Sequence, residues 1–458
     1  MIPFGLLGVF CDHLEIRITG LSKEGFSFRV PEKIEKAACL EICFFDFSAD
    51  CYRKVQLAEK EREMKLTEET PFFFIYSVWT KNGEYREQVK RLVTDYDNYI
   101  SLKLAGDDAY LSEKMVGYPA ELDEVYAESF EEQKKEWFSC VGDGIQECRN
   151  TWEHKKWNIT DFPEFELAIT IDRPELYYDF LQKDWTRFCH DYWKNNFLEH
   201  HTLSKKRVTR IYIGNQFCHN LFPRKKLLFQ VLEKALENNL AVTLAFSYIR
   251  NHLLEEIDEL LQELEVWCQS REKEAGKDQE EIIVNDWAMP ILLQGKPHLK
   301  PVLGVLLNKR RKDVRLPYKH GIGNHVDSLA ENNLNCGFYQ DYLKNTFDIQ
   351  RFEFESCEYK VTIPDGHHSL HLPFFQTNTS QYCTLYAVCR YGDRGKQKLP
   401  ENCPRYCNKK VFLYPKHLKM VGRYNSLFGY DEKILWDEKQ LQDYLEQGID
   451  RIVVNVSL

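Results

Sequence analysis

The chain contains no stretch near the ~20 consecutive apolar residues that a membrane-spanning helix requires. It also lacks a secretory pattern. The opening, MIPFGLLGVFCDHLEIR, carries a short apolar run but no basic region before it and no small-residue cleavage site after it. A disulfide framework is therefore not expected. The 15 cysteines, an odd number spread along the whole length, read as reduced thiols in a cytoplasmic protein. There is no H-E-x-x-H pair to hold a catalytic zinc and no G-x-S-x-G elbow to present a nucleophilic serine, so neither common hydrolase signature is present. No internal repeat and no low-complexity segment interrupts the pattern. A formal net charge of -10 argues against broad, non-specific nucleic-acid binding but leaves room for a local basic patch.

The 458 residues suffice for two or three domains with proper cores. Within 1–110, LEIRITGL, GFSFRV and CLEICFF alternate apolar and polar residues as half-buried strands do, and Gly20, Ser22 and Gly25 mark a turn between two of them. PFFFIYSVWT is a further strand, and EYREQVKRLVTDYDNYI reads as a helix. Short strands with one trailing helix predict a small all-β barrel. Residues 111–160 turn acidic, and ELDEVYAESFEEQKKEW reads as a connecting helix with a solvated face, or as an acidic docking segment. From 161 to 458 strands and helices alternate. ELAITI, VTRIYIG, LAVTLAF, EIIVND and PVLGVLL are strand-like, Pro174 opens a helix, and 224–238 carries Leu228, Val231, Leu232 and Ala235 on one helical face. A further helix is expected over 251–268, and the chain ends on a helix and the strand IDRIVVNV. This alternation predicts an α/β fold with a TIM-type (β/α) barrel, complete or incomplete.

The densest chemical signal is Cys383, Cys389, Cys403 and Cys407, spaced C-x5-C-x13-C-x3-C. Thiolates this close in sequence hold soft metals or iron–sulfur clusters. The C-x3-C pair can reach one cluster, and Pro404, Gly392, Gly395 and Pro400 suit a wrapping loop. Zinc prefers tighter C-x2-C knuckles, so a [4Fe-4S] cluster is the leading expectation and zinc the alternative. Cys218 follows the strand RIYIG. In a barrel that position lies on the active-site face, which makes it a fifth candidate, although a lone cysteine is ordinarily a packed thiol.

At these residues the sequence resembles a known group. IYIGNQFC, VNDW, the Ser380-Gln381-Tyr382-Cys383 turn and the later cysteines are similar to the collagenase-like peptidase family of unassigned mechanism. Some of its members carry a [4Fe-4S] cluster on an incomplete or distorted TIM-type barrel. The family includes annotated peptidases, RNA hydroxylation factors and the pair that hydroxylates the ubiquinone ring without oxygen. The resemblance spans about 165–458 and implies that four of the five cysteines Cys218, Cys383, Cys389, Cys403 and Cys407 bind the cluster. The spacing matches neither branch fully, so which four is left open. The N-terminal region resembles a PilZ domain, a small barrel that binds cyclic di-guanylate. Ser22 and Gly25 in ITGLSKEGFSFRV match its turn, Gly20 replaces the usual Asp or Asn, and only Arg17 and Arg29 lie near in place of the paired arginines. The resemblance thus implies a fold retained without the dinucleotide.

The run Asn308, Lys309, Arg310, Arg311, Lys312 to Arg315 is the strongest basic patch. At a barrel mouth it would bind a carboxylate or phosphate substrate or an RNA backbone; otherwise it is a solvated loop. Asp286 ends a strand, where it suits acid–base work or a helix cap. His367, His368 and His371 precede the cysteines as candidate donors around the cluster, or as protease-like ligands. The functional expectation is an iron–sulfur redox or oxygen-independent hydroxylation enzyme acting on a small molecule, peptide or RNA, with a partner subunit left open. The alternatives are a peptidase or hydrolase of the same family, or a non-catalytic regulator responsive to cyclic di-guanylate or redox state.

Overall fold

The computed structural model of the chain describes residues 6–12, 14–34, 39–46, 48–49, 51–70, 73–105, 125–126, 131, 134–135, 137–138, 162–275, 280–310, 312, 330–393, 395–396, 398–400, 402–414, 419–435 and 437–457. Most of the acidic segment expected at 111–160 lies outside these residues. The chain divides into two compact units, Met1–Asp123 with Asp313–Glu331, and Glu124–Lys312 with Asn332–Leu458.

The first unit contains strands β1 (Leu7–Cys11), β2 (Leu14–Ser22), β3 (Gly25–Val30), β4 (Leu40–Asp46), β5 (Cys51–Leu57), β6 (Arg62–Glu69) and β7 (Phe74–Thr80), then helix α1 (Gly83–Ala105). They form one antiparallel sheet in the order β5-β4-β1-β2-β3-β7-β6, a half-barrel whose end strands are β5 and β6. The core is aromatic: Phe28, Phe44 and Tyr85 are fully buried, and Tyr85 at the start of α1 lies 6.1 Å from both Phe26 and Phe44. The Tyr85 hydroxyl donates to the Ser22 carbonyl at 2.9 Å, which ties the helix to the β2–β3 turn. Gly25 is required at that turn because a Cβ there would sit 1.8 Å from the Val78 carbonyl oxygen of the neighbouring strand.

The second unit is a (β/α) barrel with an antiparallel insertion. In chain order its elements are β8 (Val125–Tyr126), β9 (Glu166–Ile171), α2 (Pro174–Gln182), α3 (Trp185–Asn195), β10 (Arg210–Gly214), α4 (Lys225–Glu237), β11 (Ala241–Ala245), α5 (Leu254–Ala275), β12 (Glu280–Val284), α6 (Ala288–Leu292) and β13 (Leu299–Leu303). They continue with α7 (Gly337–Phe347), β14 (Glu353–Glu355), β15 (His368–Leu372), β16 (Phe374–Thr379), α8 (Thr384–Tyr391), β17 (Val411–Leu413), β18 (Met420–Arg423), β19 (Ser426–Tyr430), α9 (Glu438–Glu446) and β20 (Ile449–Val454).

Eight strands pair in parallel in the order β13-β12-β11-β10-β9-β20-β15-β14. A single parallel bridge, Leu303 to Phe352, draws the two ends together, supported by Leu303 N donating to the Arg351 carbonyl at 3.0 Å. The barrel is thus nearly closed. Strands β16, β19, β18 and β17, inserted after the seventh barrel strand, make a separate five-stranded sheet with β8, which precedes the barrel.

Strand alternation explains the two faces. Leu167, Ile169 and Ile171 of β9 are fully buried on the outer, helix-facing side, and α4 turns Leu228, Val231, Leu232 and Ala235 into the core. Ala168, Tyr212, Ala245, Ile283, Val302 and Val453 cluster inside. The lower lumen is ionic rather than apolar. Arg451 grips Glu281 through both guanidinium ends at 2.6 and 3.0 Å, and its Nε reaches Glu166 at 2.6 Å. Arg210 bonds the same two carboxylates at 2.9 and 3.3 Å. Buried charges survive only when paired this fully.

Candidate functional site

Four cysteines from three separate segments line one pocket of the barrel unit: Cys218, Cys383, Cys403 and Cys407. Local chemistry fixes each. Gly214 ends β10 at φ +110, a backbone open to glycine, where a Cβ would lie 2.5 Å from the Ala245 carbonyl. The chain then turns, and the Asn215 side chain accepts from the Phe217 and Cys218 amides, both at 2.9 Å, setting the Cys218 thiol at the strand's C-terminal end. Cys383 is the N-cap of α8. Its sulfur accepts from the Tyr386 amide at 3.3 Å and donates to the Tyr424 carbonyl at 2.9 Å. Cys403 and Cys407 flank Arg405, whose φ of +54 starts a 3-10 turn, and the Cys407 carbonyl accepts from Arg423 Nε at 3.1 Å.

The hairpin turn between β18 and β19 braces this site. Asn425 donates to the Ser380 carbonyl at 2.6 Å and to the Tyr248 hydroxyl at 3.0 Å, and Ser380 N donates back to the Asn425 carbonyl at 2.9 Å. Tyr424 takes φ +59, an uncommon and strained conformation for a bulky residue. Arg250, Tyr424 and Asn425 also line the pocket, and each presents a buried polar atom (Nε, Oη and Oδ1) without a hydrogen-bond partner among the described residues.

Burial first, and then the neighbouring thiols, raise the pKa of Cys218, Cys383 and Cys407. Burial pushes Cys218 up to about 11, with Cys403 adding to the effect and Arg250 opposing it. Burial and the neighbouring Cys218 push Cys407 up to about 12, against the pull of Arg423. Cys383 goes higher still through burial and the other three thiols, although the Tyr386 amide favours its thiolate. Thiols raised in this way ionise only beside a strong local positive charge, which a bound metal group would supply.

Cys389 does not line the pocket. It sits half-buried on α8, and its pKa is raised by burial with only Lys410 opposing, without influence from the other cysteines. Among the described residues no three His, Cys, Asp or Glu side chains are close enough to hold a single metal ion. The four thiols share the lining of one pocket without being drawn together as a site for a single ion.

The other expected residues fall elsewhere. Asp286 and the described part of the basic run, Asn308, Lys309, Arg310 and Lys312, line a groove that shares Tyr248 with the thiol pocket. Most of these groups are already engaged. Asp286 accepts from the Ala288 and Met289 amides, both at 3.1 Å, and from the Ile249 amide, an arrangement that caps α6. Lys312 pairs with Glu355 in a buried ion pair. Arg310 donates to the Cys357 sulfur at 2.9 Å and to the Glu355 carbonyl, and Asn308 donates to the Glu353 carbonyl at 3.2 Å. Lys309 alone of the four is exposed. Arg311 and Arg315 lie outside the described residues.

His367 pairs with Asp450 at 2.9 Å, His368 stacks on Phe352 at 4.8 Å, and His371 bonds Glu353 at 2.5 Å; none of them lines the thiol pocket. In the first unit the Ser22 hydroxyl is used within its own turn, donating to the Gly25 carbonyl at 3.2 Å and accepting from the Glu24 amide at 3.2 Å. Arg17 and Arg29 face each other across β2 and β3, and Arg29 lies 5.1 Å over the Phe73 ring.

The part of the site that the sequence did not signal is its frame: Asn215, Arg250, Tyr424 and Asn425. Asn215 and Arg250 follow barrel strands, a positional cue. Tyr424 and Asn425 belong to an insertion whose strands had not been anticipated. No helix among the described residues is long and apolar enough to cross a membrane. Comparison with family models, with curated proteins and with solved structures finds no match to this chain.

Proposed function

We propose that the barrel unit is an iron–sulfur protein of redox or oxygen-independent hydroxylation chemistry, of the collagenase-like peptidase kind that its motifs resemble, with Cys218, Cys383, Cys403 and Cys407 as the cluster ligands. The observation that carries this reading is the meeting of these four thiols at one pocket by the C-terminal end of β10, while Cys389 stays outside it. Four thiolates are the ligand set of a [4Fe-4S] cluster, whereas zinc prefers the tighter C-x2-C knuckles that these cysteines do not form. When bound, such a cluster would exchange single electrons with a substrate or a partner.

The chain's own residues would do the rest. The Tyr386 amide at the α8 N-terminus and the Arg250 guanidinium favour ionised sulfur at Cys383 and Cys218. Tyr248, shared by the pocket and the neighbouring groove, would separate cluster from substrate, with exposed Lys309 as the groove's available cation. Within the same reading the first unit keeps a PilZ-like fold without cyclic di-guanylate, since Ser22 is spent within its turn and Gly25 is packed against Val78.

The test is anaerobic purification of wild type and the five single Cys→Ser variants, followed by iron and sulfide analysis. Cys218, Cys383, Cys403 and Cys407 variants should lose the cluster, and Cys389→Ser should keep it. Full iron retention in any of the first four would remove that residue from the ligand set.

A further inference from the structure

A second cavity lies on the barrel axis, lined by residues at the C-terminal ends of the strands, among them Thr170, Tyr212, Ala245 and His371. It is separate from the thiol pocket, but the two are neighbours along the chain. Phe217 and Phe428, packed edge-to-face at 4.8 Å, line the axial cavity, whereas the adjacent Cys218 and the Tyr424–Asn425 turn line the thiol pocket. This end of a (β/α) barrel is where bound molecules meet strand-borne chemistry. Tyr212, Glu355 and His371 in its wall are buried, at 1%, 3% and 3% exposure, whereas Thr170, Asp172, Phe217 and Asn455 are half-buried. A concave site of this kind takes a small molecule.

The polar groups here are arranged unevenly. On one side His371 Nε2 lies 2.5 Å from Glu353, and the Tyr212 hydroxyl bonds the same carboxylate at 3.1 Å. Glu355, also in the wall, is neutralised by Lys312 and accepts from the Gln376 amide at 2.7 Å. Asp172 differs. Ser457 hydrogen-bonds its carboxylate, yet its Oδ1 is buried with no partner among the described residues. A buried acceptor left unmet is costly. A ligand that donates to it would recover that cost. Arg173 and Arg423 act electrostatically on Asp172 and Lys312 neutralises Glu355, so what the cavity leaves unmet is one acceptor atom, which a hydroxyl or ammonium donor satisfies and a carboxylate ligand, itself only an acceptor, does not.

We propose that this axial cavity binds a small molecule that presents a hydroxyl or ammonium group to Asp172, beside an imidazole at His371 that Glu353 orients for proton transfer. The site stands on its own geometry and does not depend on a cluster being bound. His371 is the group placed to give or take a proton from the ligand. Glu353 is a positioning residue that acts through it.

The test uses the full chain with ethanolamine and glycerol as donor probes and acetate as the anionic counter-probe, read by ligand-observed NMR. Ethanolamine or glycerol should bind saturably to the wild type, with intermolecular contacts to the methyl groups of Ala245 and Val305, two residues of the cavity wall. Acetate should not bind there. Asp172→Asn should weaken donor binding about tenfold or more. The proposal is overturned if neither donor contacts those methyl groups, if acetate occupies the cavity instead, or if folded Asp172→Asn binds as the wild type does. The methyl contacts require no variant, so the outcome is decided even if Asp172→Asn fails to fold.

Discussion

At the scale of single residues, the barrel unit depends on charges kept inside it. Glu281 shows how they are kept. Burial alone would raise its pKa, but Arg451 and Arg210 outweigh burial and hold it at about 2, below its ordinary 4.5. A carboxylate depressed in the folded state contributes stability that is complete above its unfolded pKa and is lost as the pH falls through the folded one. The window for Glu281 therefore runs from about pH 4.5 down to about pH 2, and the contribution is about 3 kcal/mol. Glu281→Gln leaves Arg451 and Arg210 with one carboxylate fewer, and should cost about 3–5 kcal/mol at neutral pH. The urea midpoints of wild type and variant should differ widely at pH 7 and draw together as the pH falls below 4.5. A gap that does not change with pH would show that the pair does not carry this stability.

The candidate site at this scale was half legible in the sequence. Sulfur chemistry announces itself through residue type, so the five cysteines stood out. Which four converge could not be read from spacing, because Cys389 lies closer in sequence to Cys383 than Cys403 does, yet the turn of α8 carries it away from the pocket. Within the basic run, Arg310 and Lys312 turn inward to Cys357 and Glu355, partners that lie more than 40 positions further along the chain and so leave no local sign, whereas Lys309 is exposed.

At the scale of elements, the strands that could be read were those whose outer faces are continuous apolar runs. β9 coincides with its expected span, β10, β11, β12 and β20 fall within a residue or two of theirs, and β13 (Leu299–Leu303) starts two residues before and ends four residues before the expected 301–307. β14 and β15 were not foreseen. Glu353, Glu355, His368, Ser369 and His371 make them polar, and β14 has only three residues. Their polarity is affordable because each charge meets a partner across the lumen, which a local pattern cannot show. The seam between β13 and β14 follows from the same shortness. It rests on one bridge and the Leu303 amide bond, whereas β10 and β11 share a register of five residue pairs. Hydrogen exchange should release the Leu303 amide well before the amides of Ile211 and Ile213. Equal protection would mean that the barrel is closed as firmly at the seam as elsewhere.

At the scale of the whole molecule, the two units answer to two different sequence patterns. Short alternating strands produced the antiparallel half-barrel, and strand–helix alternation produced the parallel barrel. The insertion after β15, with strands β16 to β19, matches neither pattern, and it carries Cys383, Cys403, Cys407 and the Tyr424–Asn425 turn to the barrel's Cys218. An ordinary barrel scaffold thus acquires a thiol pocket from a long excursion between its seventh and eighth strands. The pocket's proposed role is tested most directly by iron and sulfide content after anaerobic purification, measured side by side for wild type, Cys407→Ser and Cys389→Ser. About four irons and four sulfides per chain in wild type and Cys389→Ser, with none in Cys407→Ser, is the predicted result. A wild type that takes up no iron even on anaerobic reconstitution, or a Cys407→Ser protein that keeps its full complement, would contradict it.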